Sequence, residues 1–126
     1  MSVEQNKQVV LAYLEQALNA KQPAEAVDAY VGPRYVQHNP QVADGPEAFI
    51  EFASGFTRQF PEMRVDVRRV VAEGDVVVTH SLLTVGPEDR GTAAVDIFRL
   101  EEGRIVEHWD VLQPVPESAA NDNTMF

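Results

Sequence analysis

The sequence lacks several features that would mark particular classes of protein. It has no cysteine in its 126 residues, which excludes a disulfide framework, a thiolate nucleophile and a thiolate metal site. Basic residues are few: ten Lys and Arg stand against twenty Asp and Glu, for a formal net charge of −10. This balance argues against nucleic-acid binding and against electrostatic docking on an anionic membrane. No apolar run approaches the roughly 20 residues that a membrane span requires.

The amino-terminal residues also lack a targeting signal. Met1–Lys7 contains neither the basic segment nor the apolar run of a signal peptide, so we expect a cytoplasmic protein. What the chain does contain is a globular composition, with 44% apolar and 24% charged residues, too apolar for intrinsic disorder. We expect one domain over residues 1–126. Its tail, Pro114–Phe126, is polar and irregular, although the final Thr-Met-Phe is able to pack.

The first half of the chain predicts three helices. Ser2 followed by Gln5 is a capping-box signature, and the apolar spacing after it predicts a helix of about five turns. A second, short helix is expected to begin near Pro23 and to end at Gly32–Pro33. A third begins at Gly45–Glu47 and ends at the next proline. One face of the third helix carries apolar residues that we expect in the core: Phe49, Phe52, Ala53, Phe56 and Phe60.

From Arg64 onward the apolar period changes to two, which predicts strands. We expect four of them after a short extended segment at Arg34–Asn39: Val65–Val71, Val76–Val85, Thr92–Leu100 and Arg104–Gln113. Consecutive strands joined by tight turns are antiparallel, because a parallel return needs a long crossover. Helices followed by a meander predict an α+β fold with the helices on one face of a curved antiparallel sheet.

Ionisable residues interrupt the last two predicted strands. Alternation puts His108 and Asp110 on one face of the last strand, and Asp96 lies on one face of the strand before it. A three-residue loop, Glu101–Gly103, would place Asp96 opposite His108, whereas a two-residue turn would place it opposite Trp109. We favour the three-residue loop because it gathers the polar groups on one side.

Carboxylates and histidines on an apolar sheet face suit proton transfer. A partly buried aspartate is harder to ionise and accepts protons better near neutrality, and a neighbouring histidine can donate to an oxyanion. The alternative is a cross-strand Asp96–His108 pair that only stabilises the hairpin. His80, His108 and Asp110 could supply three metal ligands, but their spacing is not specific, and we expect no metal.

Several segments resemble the SnoaL-like polyketide cyclase family, and within it a branch of predicted SnoaL-like aldol-condensation enzymes. They are Tyr35–Pro40, Gly45–Phe49, Asp96–Asp110 and Asn121–Phe126. The resemblance implies the cone-shaped α+β barrel of the nuclear-transport-factor-like superfamily, in which three amino-terminal helices close a curved antiparallel sheet around a pocket. It also implies a homodimer through the outer sheet face.

By motif, Asp110 matches the aspartate that acts as acid and base in this family. Asp96 matches a second polar position, which is usually histidine in the cyclases. His38 and His80 are pocket candidates by position. The resemblance thus implies an enzyme without a cofactor that binds a small hydrophobic carbonyl compound.

In the expected reaction, Asp110 removes a proton next to a ketone, and the enolate either attacks a second carbonyl or is reprotonated elsewhere. The ketone would lie among four residues: Tyr13, Phe56, Val78 and Phe98. His80 or His38 would hydrogen-bond the enolate oxygen, and the Asp96–His108 pair would set the protonation state of Asp110. Two alternatives stay open, a non-catalytic binding domain and a dimeric scaffold with a filled cone, because one fold hosts many functions.

Overall fold

Three helices occupy the first half of the chain in the computed structural model, which describes residues 1–126. They are α1 (Val3–Leu14), which continues into a π-helical turn at Glu15–Asn19, α2 (Pro23–Tyr30) and α3 (Pro46–Gln59). Both hydrogen bonds of the predicted capping box are present at the start of α1. No helix is long and apolar enough to cross a membrane.

Five strands form one curved sheet. They are β1 (Val31–Gln37), β2 (Arg64–Glu73), β3 (Val76–Thr84), β4 (Thr92–Glu101) and β5 (Arg104–Pro114). The spatial order is β1-β5-β4-β3-β2. The strands from β2 to β5 make the predicted antiparallel meander, and the helices cover one face, so the expected α+β fold is confirmed.

β1 refines that expectation in two ways. It pairs in parallel with β5, so the sheet is mixed, because the chain reaches this edge from α2 and leaves it through α3 before the meander begins. α2 ends at Tyr30 rather than at Gly32–Pro33, which lies inside β1. Proline is tolerated there because an edge strand need not donate on its outer side. Gly32 allows close packing, since a Cβ at this position would lie 3.0 Å from Val106 Cγ1.

The core lies between the helices and the inner sheet face. Its largest fully buried side chains include Tyr13 and Val10 from α1 together with Val77, Phe98 and Ile105 from the sheet. The α3 face predicted for the core joins it only in part: Ala53 is buried and Phe49 packs against the core, whereas Phe52 is 38% exposed. All three phenylalanines of α3 line a cavity.

The β4–β5 hairpin corrects both registers that the sequence suggested. Its turn has two residues, Glu102 and Gly103, with φ of 51° and 78°, and Glu101 pairs with Arg104. One residue later β5 carries a β-bulge, which leaves Val106 without a partner. The bulge shifts the register by one, so that Asp96 lies opposite Asp110 rather than His108 or Trp109. The polar groups therefore still gather on one face.

The tail beyond Pro114 crosses to the outer sheet face. Its start is held by a hydrogen bond of 2.9 Å from the Val115 N–H to the Gly91 carbonyl. At its end, the Phe126 ring stacks against His80 with centroids 6.0 Å apart, and the Arg68 guanidinium lies 5.7 Å from the ring centroid. The carboxyl-terminal residues therefore pack, as the sequence suggested.

Candidate active site

A cavity of about 180 Å³ lies between the inner sheet face and the helices. α1, α3 and the inner face of the sheet together supply its apolar wall, and the polar lining residues form one connected cluster on β4, β5 and the end of β1. The cone is therefore not filled by side chains, which contradicts the scaffold alternative. The arrangement is that of a small-molecule pocket, apolar with a few convergent polar groups.

Three ionisable side chains lie together in this cluster. Asp96 on β4 is directly opposite Asp110 on β5, and His108 precedes Asp110 by two residues on the same face. Their nitrogen and oxygen atoms lie within 4.8 Å of one another. Asp96 Oδ1 and His108 Nε2 are 2.8 Å apart, and only 16% and 10% of these two side chains are exposed. The pair is thus shielded from water while Asp110 borders the cavity.

The hydrogen bonds assign a charge to His108. Its Nδ1 lies 2.7 Å from Gln37 Oε1, and that atom also accepts the Asn39 backbone N–H at 3.1 Å. A backbone N–H only donates, so the Gln37 atom is the oxygen, and Nδ1 must donate to it. Since Nε2 faces the Asp96 carboxylate, both ring nitrogens carry hydrogen. His108 is assigned as an imidazolium paired with Asp96.

Asp110 has a different environment. Asn39 Nδ2 donates to Asp110 Oδ2 at 2.8 Å, and Asn39 Oδ1 accepts the Gln41 backbone N–H at 2.8 Å, which orients the amide. No lysine, arginine or histidine forms a salt bridge with Asp110. Asp110 is therefore a carboxylate with a fixed orientation, no dedicated cation and access to the cavity.

Two buried tyrosines complete the polar end of the cavity. The hydroxyl oxygens of Tyr13 and Tyr35 are 3.5 Å apart, and both rings line the cavity. Burial raises the pKa of both phenols well above the ordinary value, and the negative charge of Asp96 raises both further. Both phenols keep their protons at neutral pH, and one of them donates to the other, so the accepting hydroxyl can donate to a ligand oxygen.

Six of the nine residues proposed from the sequence line this cavity: Tyr13, Phe56, Asp96, Phe98, His108 and Asp110. The other three lie on the opposite sheet face, which corrects their expected positions. Val78 and His80 alternate with the buried Val77 and Thr79, and so point outward. His80 accepts a hydrogen bond from Arg69 instead.

His38 also points away from the cavity. Its Nε2 lies 2.7 Å from Glu107 Oε2, and its ring stacks on Trp109 with centroids 4.7 Å apart. The expected hydrogen bond from His38 or His80 to an enolate in the cavity is therefore wrong, because neither ring reaches it.

Three residues of the site were missed: Tyr35, Gln37 and Asn39. A signal for them existed, because strand alternation continued from Tyr35 puts Gln37 and Asn39 on its face and His38 on the other. His38 was proposed because histidine is a common catalytic residue, whereas strand alternation alone would have selected its neighbours Gln37 and Asn39.

The cluster also has the composition of a metal site, since two carboxylates and one histidine converge. Its hydrogen bonds point elsewhere. Metal binding requires a neutral imidazole with a free lone pair, whereas both His108 nitrogens here face oxygen acceptors. A metal ion would therefore have to displace the hydrogen between His108 Nε2 and Asp96 before it could bind here.

Comparison with known proteins gives the family and the fold. The sequence matches the SnoaL-like domain family over residues 10–108. A protein of Jannaschia sp. CCS1, provisionally assigned as a SnoaL-like polyketide cyclase, is similar with a TM-score of 0.73 and 26% identity, over 86% of this chain and 85% of that one. TsrD from Streptomyces laurentii has a TM-score of 0.75 at 21% identity, over 89% and 90% of the two chains.

A protein of Kribbella flavida, provisionally assigned as a ketosteroid isomerase, is also similar. Its TM-score is 0.74 at 20% identity, over 94% of this chain and 85% of that one. At this identity the likeness concerns the fold alone. No curated protein is similar enough in sequence to match the chain.

Proposed function

Because the chain belongs to the SnoaL-like domain family, which its match over residues 10–108 establishes, we propose that it abstracts a proton next to the carbonyl group of a small hydrophobic ketone, without a cofactor. The family resemblance drawn from the sequence motifs is confirmed by this match. The observation that carries the proposal is Asp110, a carboxylate without a cationic partner at the edge of an apolar cavity. A carboxylate in such surroundings is a general base for carbon acids.

The neighbouring groups would stabilise the charge that the reaction creates. When Asp110 takes the α-proton, the electron pair of the C–H bond moves to the carbonyl oxygen and forms an enolate. Tyr13 and Tyr35 line the same cavity, and because one hydroxyl donates to the other, the accepting hydroxyl keeps its proton free to donate to that oxygen. The His108 imidazolium adds a positive charge nearby. These groups replace His38 and His80 in the role first expected.

The enolate then has two fates, which share this first step. Its carbon can attack a second carbonyl of the same molecule, in an aldol-type cyclisation whose new alkoxide takes up a proton. Alternatively, when the ketone carries a β,γ C=C bond, the enolate is a dienolate, and protonated Asp110 can return the proton to its γ-carbon, which is an isomerisation. The provisional assignments of the structural relatives include one of each kind, a cyclase and an isomerase.

We further propose a homodimer through the outer sheet face. Val71 on β2 and Val111 on β5 point to that face and are 60% and 67% exposed. Val71 pairs across the sheet with Val78, and Val78 with Ile97, and a contiguous apolar patch of this kind is typical of interfaces. Sedimentation velocity tests this: Val111→Glu should yield monomer, whereas Val3→Glu on α1 should not. A wild-type monomer would refute the dimer.

The cytoplasmic location stays a prediction from the amino-terminal sequence.

Hydrogen–deuterium exchange tests the catalytic proposal without knowledge of the substrate. The protein is incubated in D₂O with two small enolisable ketones, 1-indanone and cyclohexanone. Loss of the α-proton signals of each ketone is followed by NMR. Asp110→Asn should lose roughly 10²- to 10⁴-fold of the acceleration while still binding ketone. Asp122→Asn, an exposed aspartate of the tail, is the matched control. Ketone binding without any exchange by the wild type would instead indicate a binding domain.

A further inference from the structure

The charge and the volume of the cavity restrict its ligand further than the proposed chemistry does. We infer that its ligand is an uncharged carbonyl compound built on one ring, and that Asp110 is the residue that rejects anions. This inference rests on the proposed function for the carbonyl group and for calling the ligand a substrate.

The charge of the cavity is the first argument. None of its lining residues is lysine or arginine. The His108 imidazolium and the Asp96 carboxylate compensate each other at 2.8 Å, and the two tyrosines are neutral because their pKa values are raised. The negative charge of Asp110 remains without compensation. A carboxylate or phosphate on the ligand would therefore meet an uncompensated like charge inside the cavity, where repulsion is stronger than in bulk water.

Proton transfer does not change this balance. When Asp110 becomes neutral, the enolate carries the negative charge in its place, so the net charge within the cavity is constant. An anionic ligand would instead add a second negative charge both before and after the transfer. The site therefore suits a substrate that is neutral when it enters and anionic only as the bound enolate.

The volume is the second argument. About 180 Å³ is available, slightly more than an engineered apolar cavity of about 150 Å³ that holds benzene. One ring with a short acyl group fits this space. A larger ring system would have to extend past Phe52 and Leu112, which line the cavity and are 38% and 49% exposed at its mouth.

The distribution of lining residues orients such a ligand. The polar cluster of Asp96, His108 and Asp110 occupies the strands, while Phe49 and Phe56 line the helical side. The carbonyl group therefore lies against β4 and β5, with the ring against α3. This placement brings the α-carbon toward Asp110.

Two ligands of similar shape but different charge test the charge argument. Acetophenone and benzoate differ mainly in replacing a methyl group by a charged oxygen, and their Kd values are measured by NMR titration at pH 7.5. We expect wild type to bind acetophenone at least tenfold more tightly. Asp110→Asn should narrow this ratio below about threefold by binding benzoate better, and Asp122→Asn should leave it unchanged. Asp110→Ser repeats the test if the asparagine variant does not fold.

Two results would overturn the charge argument: equal binding of both ligands by wild type, or an unchanged ratio of the two Kd values in the folded Asp110 variants.

A series of ketones with one, two and three rings tests the size argument. Acetophenone, 2-acetylnaphthalene and 2-acetylanthracene should bind progressively more weakly. Phe52→Ala should recover at least part of the three-ring ligand's affinity. Equal affinity of wild type for all three ketones would overturn the one-ring limit.

These binding outcomes are separate from the catalytic test. Selective ketone binding without α-proton exchange would support the ligand class and refute the proposed function. Exchange by a protein that binds benzoate as well as acetophenone would support the function and refute the ligand class.

Discussion

Two clusters of histidine and carboxylate lie on opposite faces of the same pair of strands. On the inner face, Asp96, His108 and Asp110 border the cavity. On the outer face, Glu107 lies between Arg99 Nε at 2.8 Å and His38 Nε2 at 2.7 Å. Glu107 and His108 are adjacent in the sequence, and strand alternation separates them.

The two clusters differ in whether a cationic side chain is hydrogen-bonded to the candidate carboxylate. Hydrogen bonds from Arg99, and secondarily from His38, hold the pKa of Glu107 below its usual value, so this carboxylate is a poor proton acceptor. Asp110 has only the Asn39 amide. The same residue types therefore make an ion pair on one face and a candidate base on the other. What marks the base is the absence of a dedicated cation together with access to a cavity.

The largest expected difference between the faces concerns alkaline stability. Tyr13 and Tyr35 have pKa values raised above 10.0 in the folded protein. Above pH 10 the unfolded chain releases protons that the folded protein retains, so rising pH favours unfolding. For each phenol the loss should steepen through pH 10, where it is about half of its limiting slope, toward about 1.4 kcal/mol per pH unit. Urea denaturation at pH 9, 10 and 11 measures this, with Tyr13→Phe/Tyr35→Phe as control; an equally steep slope in that variant would contradict it.

The next prediction compares matched carboxylates on the two faces. Asp96→Asn removes the counter-ion of the His108 imidazolium and should slow α-proton exchange by about tenfold or more, equivalent to at least about 1.4 kcal/mol. Glu107→Gln should change the rate less than about twofold, because its cluster does not reach the cavity.

A spectroscopic readout separates this positioning effect from general damage to the fold. Nitrogen-15 NMR of wild type at pH 7.5 should show both His108 ring nitrogens protonated, and Glu107→Gln should leave that signature intact. A neutral His108 tautomer in wild type would refute the assigned charge.

A smaller effect is expected for acid stability on the outer face. Because the pKa of Glu107 is lowered from 4.5, its contribution is present at neutral pH and is lost as the pH falls through that lower value. Glu107→Gln should therefore be less stable than wild type by under about 1 kcal/mol at pH 7, with the difference closing at low pH. Denaturation at pH 7, 5 and 3 checks this; a constant difference would contradict it.

The smallest effect is expected from the end of the tail. Phe126→Ala removes the contact with Arg68 and His80, which is worth about 0.5 to 1 kcal/mol at an exposed site. The exchange rate should not change, since none of these residues lines the cavity. Thermal unfolding and the exchange assay measure the two quantities, and a slower exchange would show that the two faces are coupled.

The predictable part of the fold was local. The capping box at Ser2 and Gln5 and the turn glycines acted through residues a few positions apart, so the elements could be located from the sequence. The parallel pairing of β1 with β5 joins residues some seventy positions apart, and no short-range pattern encodes such a contact. The candidate site was partly predicted because Asp96 and Asp110 lie on neighbouring strands of one hairpin.

The rest of the site depended on which sheet face each side chain occupies and on how the strands pair. Neither can be read from one strand alone. β3 carries both apolar and polar residues on each face, with Thr79 and Ser81 on the inner one, so nothing within it showed that His80 points outward. Val106 and Ile105 are both buried, and the bulge accommodates both because the core and Gly32 leave room for them.

The sequence by itself determined the α+β architecture, the helix starts, the meander and the family, because propensities, turn residues and motifs act over short distances. Tertiary structure alone decided which histidines share the cavity, which charge has a partner and where the bulge falls. The physical reason is that a strand has two faces, and only packing against the helices selects the one that lines the cavity.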